Sequence, residues 1–213
     1  MSHRNQWPES AEYAHEEFLA LRSALPSYLK GFVTFAYKVG WRISEISGLT
    51  WKQVDRQQGI VRLEVGETKN NDARTLYLDD ELKSVFERQW EIRKRARKLL
   101  PYVFLNRFAT ERQKRFDKEW KKACRDAKIG IRIFHDFRRT AVRNMVRSGV
   151  PERVAMMISG HKTRSVFDRY NIVSEHDLKL AAARHAAYLD ALHGHNLGTV
   201  GHFGTPQEGR NGT

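Results

Sequence analysis

The chain has 213 residues, a formal charge of +13 and a sequence pI near 10.0. It is long enough to bury a substantial core, has no run near the roughly 20 apolar residues of a membrane-spanning helix, and opens without an apolar signal-peptide region. Its one cysteine, Cys124, excludes an intramolecular disulfide and a cysteine-cluster zinc site, while the charge calls for a polyanionic partner, nucleic acid being favoured over an anionic membrane.

Residues 1–9 are polar and expected to be frayed. Tyr13, Phe18, Leu19 and Leu21 give the segment from Ser10 to Ala24 an amphipathic helical pattern. Pro26 is suited to the first turn of a second helix, whose Leu29, Phe32, Phe35, Ala36 and Val39 wrap too far round for a surface helix and predict a buried one. Gly40 breaks it. In GWRISEISGLTWKQVD, Ser44 and Glu45 open a short helix ended by Gly48, and Arg42 sits at the junction with Glu45 three residues on. An ordinary surface ion pair is one reading of that couple; an arginine held rigid with N–H groups left for a ligand is the other.

Val61, Leu63 and Val65 alternate, as do Leu76 and Leu78, and the polar stretch between them predicts a β-hairpin with Asn70, Asn71 and Asp72 at its tip. Lys69 stands beside the tip, either as a solvated charge or as an arm reaching a phosphate. A long helix is predicted from Asp79 to Leu100, acidic first and basic last, buried through Leu82, Val85, Phe86 and Trp90. Pro101 stops it, PYVFLN reads as a buried extended piece, and Thr110 to Ala127 reads as a further helix with Phe116, Trp120 and Ala123 inward.

The stretch HDFRRTAVRNMVRSGVPERVAMMISGHKTRSVFDRY, residues 135–170, carries most of the chemistry. A helix from His135 places His135 and Arg138 on one face, with Phe137, Ala141, Met145 and Val146 as its core side. Ser148-Gly149 ends it, Pro151 starts the next helix, packed through Val154, Met157 and Ile158, and Gly160 stops that one before His161. Tyr170 follows nine residues later. Ser174 caps a last helix, apolar at Leu178, Ala182, Ala186 and Leu189; from Gly194 the composition predicts a disordered tail. His193 and His195 fall in that loose region, where metal binding would be incidental.

Phosphodiester transfer without a metal needs fixed donors for the charge on the nonbridging oxygens, and arginine forks match that geometry. Arg42 and Arg138 fit the part. A tyrosine hydroxyl, with a reference pKa of about 10, needs a base or a strongly positive site to act as nucleophile. The leaving oxygen needs a proton donor, which a lysine arm supplies.

The arginine box around Arg42, the hairpin TKNNDARTLYL, and HDFRRT…SGHKTRSVFDRY resemble the catalytic domain of the tyrosine recombinases, the phage-integrase family, over about residues 10–190. Each piece alone is weak, and the ordered combination is specific. The resemblance implies an α+β, mainly α-helical, integrase catalytic-domain fold with a small β-hairpin or sheet, spanning residues 10–193. It implies that Arg42 and Arg138 bind the scissile phosphate, His135 assists proton transfer with the nucleophile, and His161 hydrogen-bonds a nonbridging oxygen. Lys69 is implied as general acid, Tyr170 as the nucleophile forming a 3′-phosphotyrosyl bond, and Glu45 as an orienting carboxylate. ISGH replaces the family's usual LGH.

The implied partners are double-stranded DNA and further copies of the chain: a tetramer on DNA that exchanges C-terminal helices, and a monomer, with that helix folded back on its own chain, when free. No metal and no cofactor are expected, the location is cytoplasmic, with association to the nucleoid, and the family's N-terminal core-binding domain has no room in this length. Three other readings stand beside this one. A type IB topoisomerase would share the chemistry but relax DNA, a helix-turn-helix regulator would read DNA with residues 136–160 and leave Tyr170 dispensable, and a degenerate relative would bind without cleaving.

Overall fold

Two helices open the described part of the chain, α1 (His15–Ala24) and α2 (Ser27–Val39), and eight of the 13 residues of α2 are buried. The computed structural model describes residues 13–64, 73–171, 173 and 175–196, with the side chains of 176 and 193–196 outside that set. Pro26 stands just before α2 as its N-cap rather than inside the first turn, and Gly40 ends it in the left-handed conformation (φ 72°). Phe32 meets Phe104 and Phe116 edge-on with ring centroids 5.5 and 5.6 Å apart, and Phe35 meets Trp41 edge-on at 5.3 Å. The expectation of a buried second helix is met: α2 is the axis on which the other elements pack.

After α3 (Ile43–Gly48) and a 3-10 turn at Trp51–Gln53, the chain forms β1 (Val54–Asp55), β2 (Ile60–Leu63) and β3 (Arg74–Tyr77). They make an antiparallel sheet in the order β1-β2-β3, with Val61 opposite Leu76 and Leu63 opposite Arg74. Side chains alternate across a strand, so Arg74 shares the buried face of β3 with Leu76. The hairpin is therefore present. Its tip, with Val65, Lys69, Asn70, Asn71 and Asp72, lies outside the described residues, as do residues 1–12, Ser174 and the tail from 197.

Helix α4 (Asp80–Arg95) is capped by Asp79, whose Oδ1 accepts from the Leu82 N–H at 2.9 Å. It ends at Arg95 instead of Leu100. Consecutive cations repel at helical spacing and Pro101 restricts the residue before it, so Ala96 turns extended and Arg93 Nε donates back to the Leu100 carbonyl at 2.8 Å. Helix α5 (Asp117–Asp126) starts seven residues later than the pattern predicts, because Thr110 is held in a turn by Asn106 and 111–113 pairs with 104–106: Leu105 bridges Arg112, and the Gln113 N–H donates to the Phe104 carbonyl at 2.9 Å. Tertiary pairing overrides helical periodicity here.

Helices α6 (Asp136–Arg147), α7 (Glu152–Ser159) and α8 (Arg164–Asp168) complete the first of two compact units, which reaches to Ile172. Helix α7 turns a different face inward from the one expected. Val154 is exposed and Met157 is 67% exposed, whereas Ala155 and Ser159 are fully buried, with Met156 and Ile158 half-buried. Two small residues four apart let α7 approach α6 closely, and Ala155 joins Val142 and Phe167 in a small second core. Helix α8 was not legible as a separate element. The second unit begins at Val173 and contains α9 (Glu175–Asn196). Among the described residues, no helix is long and apolar enough to cross a membrane.

Candidate active site

The site begins with the close approach of α2 to α6. A Cβ on Gly40 would lie 2.9 Å from the Ala141 Cβ and 3.4 Å from the Arg138 carbonyl, so only glycine lets the end of α2 settle there. That approach delivers the Gly40 carbonyl to Arg138, whose Nη1 donates to it at 2.7 Å and to the Ser159 carbonyl at 2.6 Å. Trp41 fixes the same corner from the other side, its indole N–H donating to the Ile158 carbonyl at 2.7 Å.

Arg138 is 3% exposed. Its Nε donates to His161 Nε2 at 3.1 Å and its Nη2 makes a long contact of 3.4 Å with the Gly160 carbonyl. A guanidinium has five N–H bonds; both on Nη1 and the one on Nε are committed, and Nη2 holds what is left for a ligand. Burial, and then the charge of Arg42, push its pKa down to about 10.

Gly160 ends α7 with φ 72°, which turns His161 back into the protein, 6% exposed. Ser159 Oγ donates to the Ala155 carbonyl at 2.6 Å and lies 2.7 Å from His161 Nδ1. The hydrogen-bond network therefore assigns the imidazole proton to Nδ1, donated to Ser159, and leaves the Nε2 lone pair for Arg138. Burial, followed by the charges of Arg138 and Arg42, holds the His161 pKa down to about 3. In this arrangement Nε2 accepts, whereas the donation to a phosphate oxygen implied by the resemblance requires the proton on Nε2.

His135 is the N-cap of α6, and its Nε2 lies 3.0 Å from the Tyr170 hydroxyl. Burial and then the charges of Arg138 and Arg42 lower its pKa below the usual 6.5, which favours the neutral imidazole. Tyr170 needs no rearrangement to reach this position. The Phe167 carbonyl accepts from the N–H groups of Tyr170 and Asn171 at 2.8 and 3.1 Å, and Phe167 itself is buried in the small core. Asn171 Nδ2 donates to Glu152 Oε1 at 2.6 Å, tying the segment to the start of α7. The Tyr170 ring sits 4.9 Å from the His161 ring and 6.0 Å from the Arg138 guanidinium carbon.

Arg42 is the N-cap of α3, with its side chain 30% exposed. Glu45, at the third helical position, accepts from the Arg42 N–H through Oε2 at 2.9 Å, and Arg42 Nη1 reaches Oε1 at 3.3 Å. The ion pair is thus part of a cap rather than a loose surface contact. Burial works against the Glu45 carboxylate, but hydrogen bonds from Arg74 and the Arg42 backbone, with the two arginine charges, outweigh it and lower its pKa.

The structure thus brings Arg42, Glu45, His135, Arg138, His161 and Tyr170 into one cluster; Lys69 lies outside the described residues. It adds three participants that the sequence reading missed: Ser159, the Gly40 carbonyl and Arg74. Arg74 Nη2 donates to Glu45 Oε1 at 2.6 Å. A signal for it existed, since Arg74 stands in phase with Leu76 and Leu78 on the inward face of the strand.

The model of the phage integrase family matches residues 11–176. The integrase of Salmonella phage P22 is 28% identical over 193 residues, covering 87% of this chain and 48% of that protein, so the chain spans about half the length of this curated relative. XerA recombinase shares the fold with a TM-score of 0.69 at 19% identity, over 82% of this chain and 64% of that one. The Tn1549 transposon integrase in complex with a circular intermediate DNA gives 0.69 at 16% identity, over 84% and 67%. A lambda integrase tetramer bound to a Holliday junction gives 0.57 at 15%, over 75% and 47%. At these identities the structural likeness is one of fold, α+β and mainly helical with a small sheet. The family match runs from ahead of α1 through the segment that seats Tyr170 against His135, and on that ground this chain belongs to the phage integrase family.

Proposed function

We propose that the chain is the catalytic domain of a site-specific DNA recombinase that cleaves and rejoins strands through Tyr170. The observation that carries this reading is the 3.0 Å contact between the Tyr170 hydroxyl and His135 Nε2, set beside the Arg138 guanidinium. Neutral His135 takes the phenolic proton as Oη attacks the phosphorus. The Oη–P bond forms, the P–O5′ bond breaks, and the departing oxygen takes a proton from Lys69, the proposed general acid. Arg42 and Nη2 of Arg138 hold the nonbridging oxygens, and His161 holds Arg138. A 5′-hydroxyl attacking the phosphotyrosine reverses the sequence, so the ester bond is conserved and no nucleotide is consumed.

The arginine-rich site supplies the charge stabilisation that a divalent metal provides elsewhere, which supports a metal-independent reaction. The partner is duplex DNA, in keeping with the net charge and with the DNA-bound Tn1549 and lambda integrase structures. The lambda tetramer on its junction supports assembly of four copies of this chain on DNA; exchange of α9 between those copies, and action in the cytoplasm with the nucleoid, complete the proposal. Nothing in the cluster favours relaxation of DNA, simple repression or a cleavage-deficient site: every position the chemistry uses within the described residues is filled.

The test is covalent trapping. Wild-type protein incubated with a nicked suicide duplex bearing its site, in EDTA, gives a protein–DNA adduct that survives a denaturing gel. Tyr170→Phe binds the duplex equally and gives none. An adduct from Tyr170→Phe, or its disappearance from the wild type when EDTA is added, would count against the mechanism.

A further inference from the structure

Arg74 lies at the centre of the site without belonging to the reacting set. It leaves β3 on the inward face, and its side chain and that of Glu45 are each 5% exposed. Nη2 binds Glu45 Oε1 at 2.6 Å, the same oxygen that Arg42 Nη1 reaches at 3.3 Å. The guanidinium stacks towards Trp41, 5.1 Å from the ring centroid. On its other side it lies so close to Gly160 that a Cβ there would fall 2.2 Å from Nη1 and 2.6 Å from Cζ. Its Nε and Nη1 are buried without a hydrogen-bond partner among the described residues.

These facts argue against a role confined to stability. Two charges removed from water cost several kcal/mol of desolvation each, and a buried ion pair often adds little net stability over apolar packing. A guanidinium with two donors left unmade is a poor way to fill space. What Arg74 does is geometric. It touches the carboxylate that aligns Arg42, the tryptophan that ties the end of α2 to α7, and the glycine that aims His161.

We propose that Arg74 is a positioning residue for strand cleavage, holding Glu45 against Arg42 and bracing the Gly160–His161 turn, so that Arg42 and Arg138 face one phosphate in a fixed register. The assignment rests on the strand-cleavage reading of the site. It also links the sheet to both arginines, since Arg74 is the first residue of β3, five positions after Lys69.

The experiment separates DNA binding from the rate of covalent adduct formation at saturating duplex. It uses the full chain as wild type, Arg74→Met, Arg74→Lys, Glu45→Gln and the Arg74→Met/Glu45→Gln double variant. A site misplaced by a fraction of its reacting distance loses rate rather than affinity, so Arg74→Met slows adduct formation about 10- to 100-fold with duplex affinity unchanged. Arg74→Lys recovers part of the rate, keeping the charge beside Glu45 without the flat contact to Gly160 and Trp41. In the Glu45→Gln background, Arg74→Met adds little, because the two act through one contact.

No adduct from the wild type overturns the strand-cleavage reading and this role with it. A wild-type adduct matched in rate by Arg74→Met overturns the role of Arg74 alone, as does a loss confined to affinity or fully additive losses in the double variant. If thermal unfolding shows that Arg74→Met does not fold, Arg74→Lys decides: a slower rate at unchanged affinity supports the role, and the wild-type rate overturns it.

Discussion

Arg138 donates its Nε–H to His161 Nε2 at 3.1 Å, so the imidazole serves as the socket of the arginine. Because Ser159 fixes the other ring nitrogen, the three side chains form a chain of oriented donors and acceptors: Arg138 to His161 to Ser159 to the Ala155 carbonyl.

Removing the socket leaves a buried guanidinium N–H unpaired. His161→Ala is expected to destabilise the protein by about 1–3 kcal/mol, the cost of an unmade buried hydrogen bond, and to slow adduct formation. His161→Gln, whose side-chain oxygen can accept from Arg138, should recover part of both. Chemical denaturation and the covalent-trapping assay measure the two effects; equal damage from both variants would argue against an acceptor role.

The same imidazole makes stability depend on pH. Its folded pKa of about 3 lies well below the reference value near 6.5. Between those values the unfolded chain binds the extra proton, so stability is complete above pH 6.5 and is lost as pH falls towards 3. The limiting slope is about 1.4 kcal/mol per pH unit for one such group, and His135, also shifted down by burial and arginine charge, acts in the same direction. Urea unfolding at pH 7 and pH 5 should show about 2 kcal/mol lost by the wild type through His161 and a smaller loss in His161→Gln. Identical pH dependence in the two proteins would refute the assignment.

Gly40→Ala tests the corner between α2 and α6. The residue has φ 72° and a Cβ would press on Ala141 at 2.9 Å. Left-handed backbone in an ordinary residue costs about 1–3 kcal/mol, and the shift moves the carbonyl that receives Arg138 Nη1. The variant should melt lower and also cleave more slowly at equal occupancy of DNA. A lower melting point with an unchanged cleavage rate would show that the Gly40 carbonyl does not set the position of Arg138.

What the sequence disclosed, and what it withheld, follows from the range of the interactions. Local signals were legible: helical spacing in α2, alternation in β2 and β3, Gly160 as a helix stop, and the three-residue step from His135 to Arg138. Long-range signals were not. The Thr110–Phe116 segment looks helical alone and is not, because Gln113 pairs with Phe104 and Asn106 holds Thr110 in a turn. The inward face of α7 is decided by small residues, Ala155 and Ser159, which a search for large apolar side chains passes over in favour of Val154 and Met157. Arg74 went unread because a charge on a strand is ordinarily assigned to solvent, although its phase with Leu76 placed it inside. The residue types of the site could be named one by one. That His161 accepts from Arg138, and that Tyr170 is already against His135, depends on packing between segments far apart in the chain.

Glu152 binds both Asn171, through Nδ2, and Arg164, at the two ends of the segment that carries Tyr170. This clasp closes before the first unit ends at Ile172. Tyr170 is therefore fastened by contacts made wholly within the first unit, and on the strand-cleavage reading proposed above a change in the position of α9 leaves this clasp on the tyrosine closed.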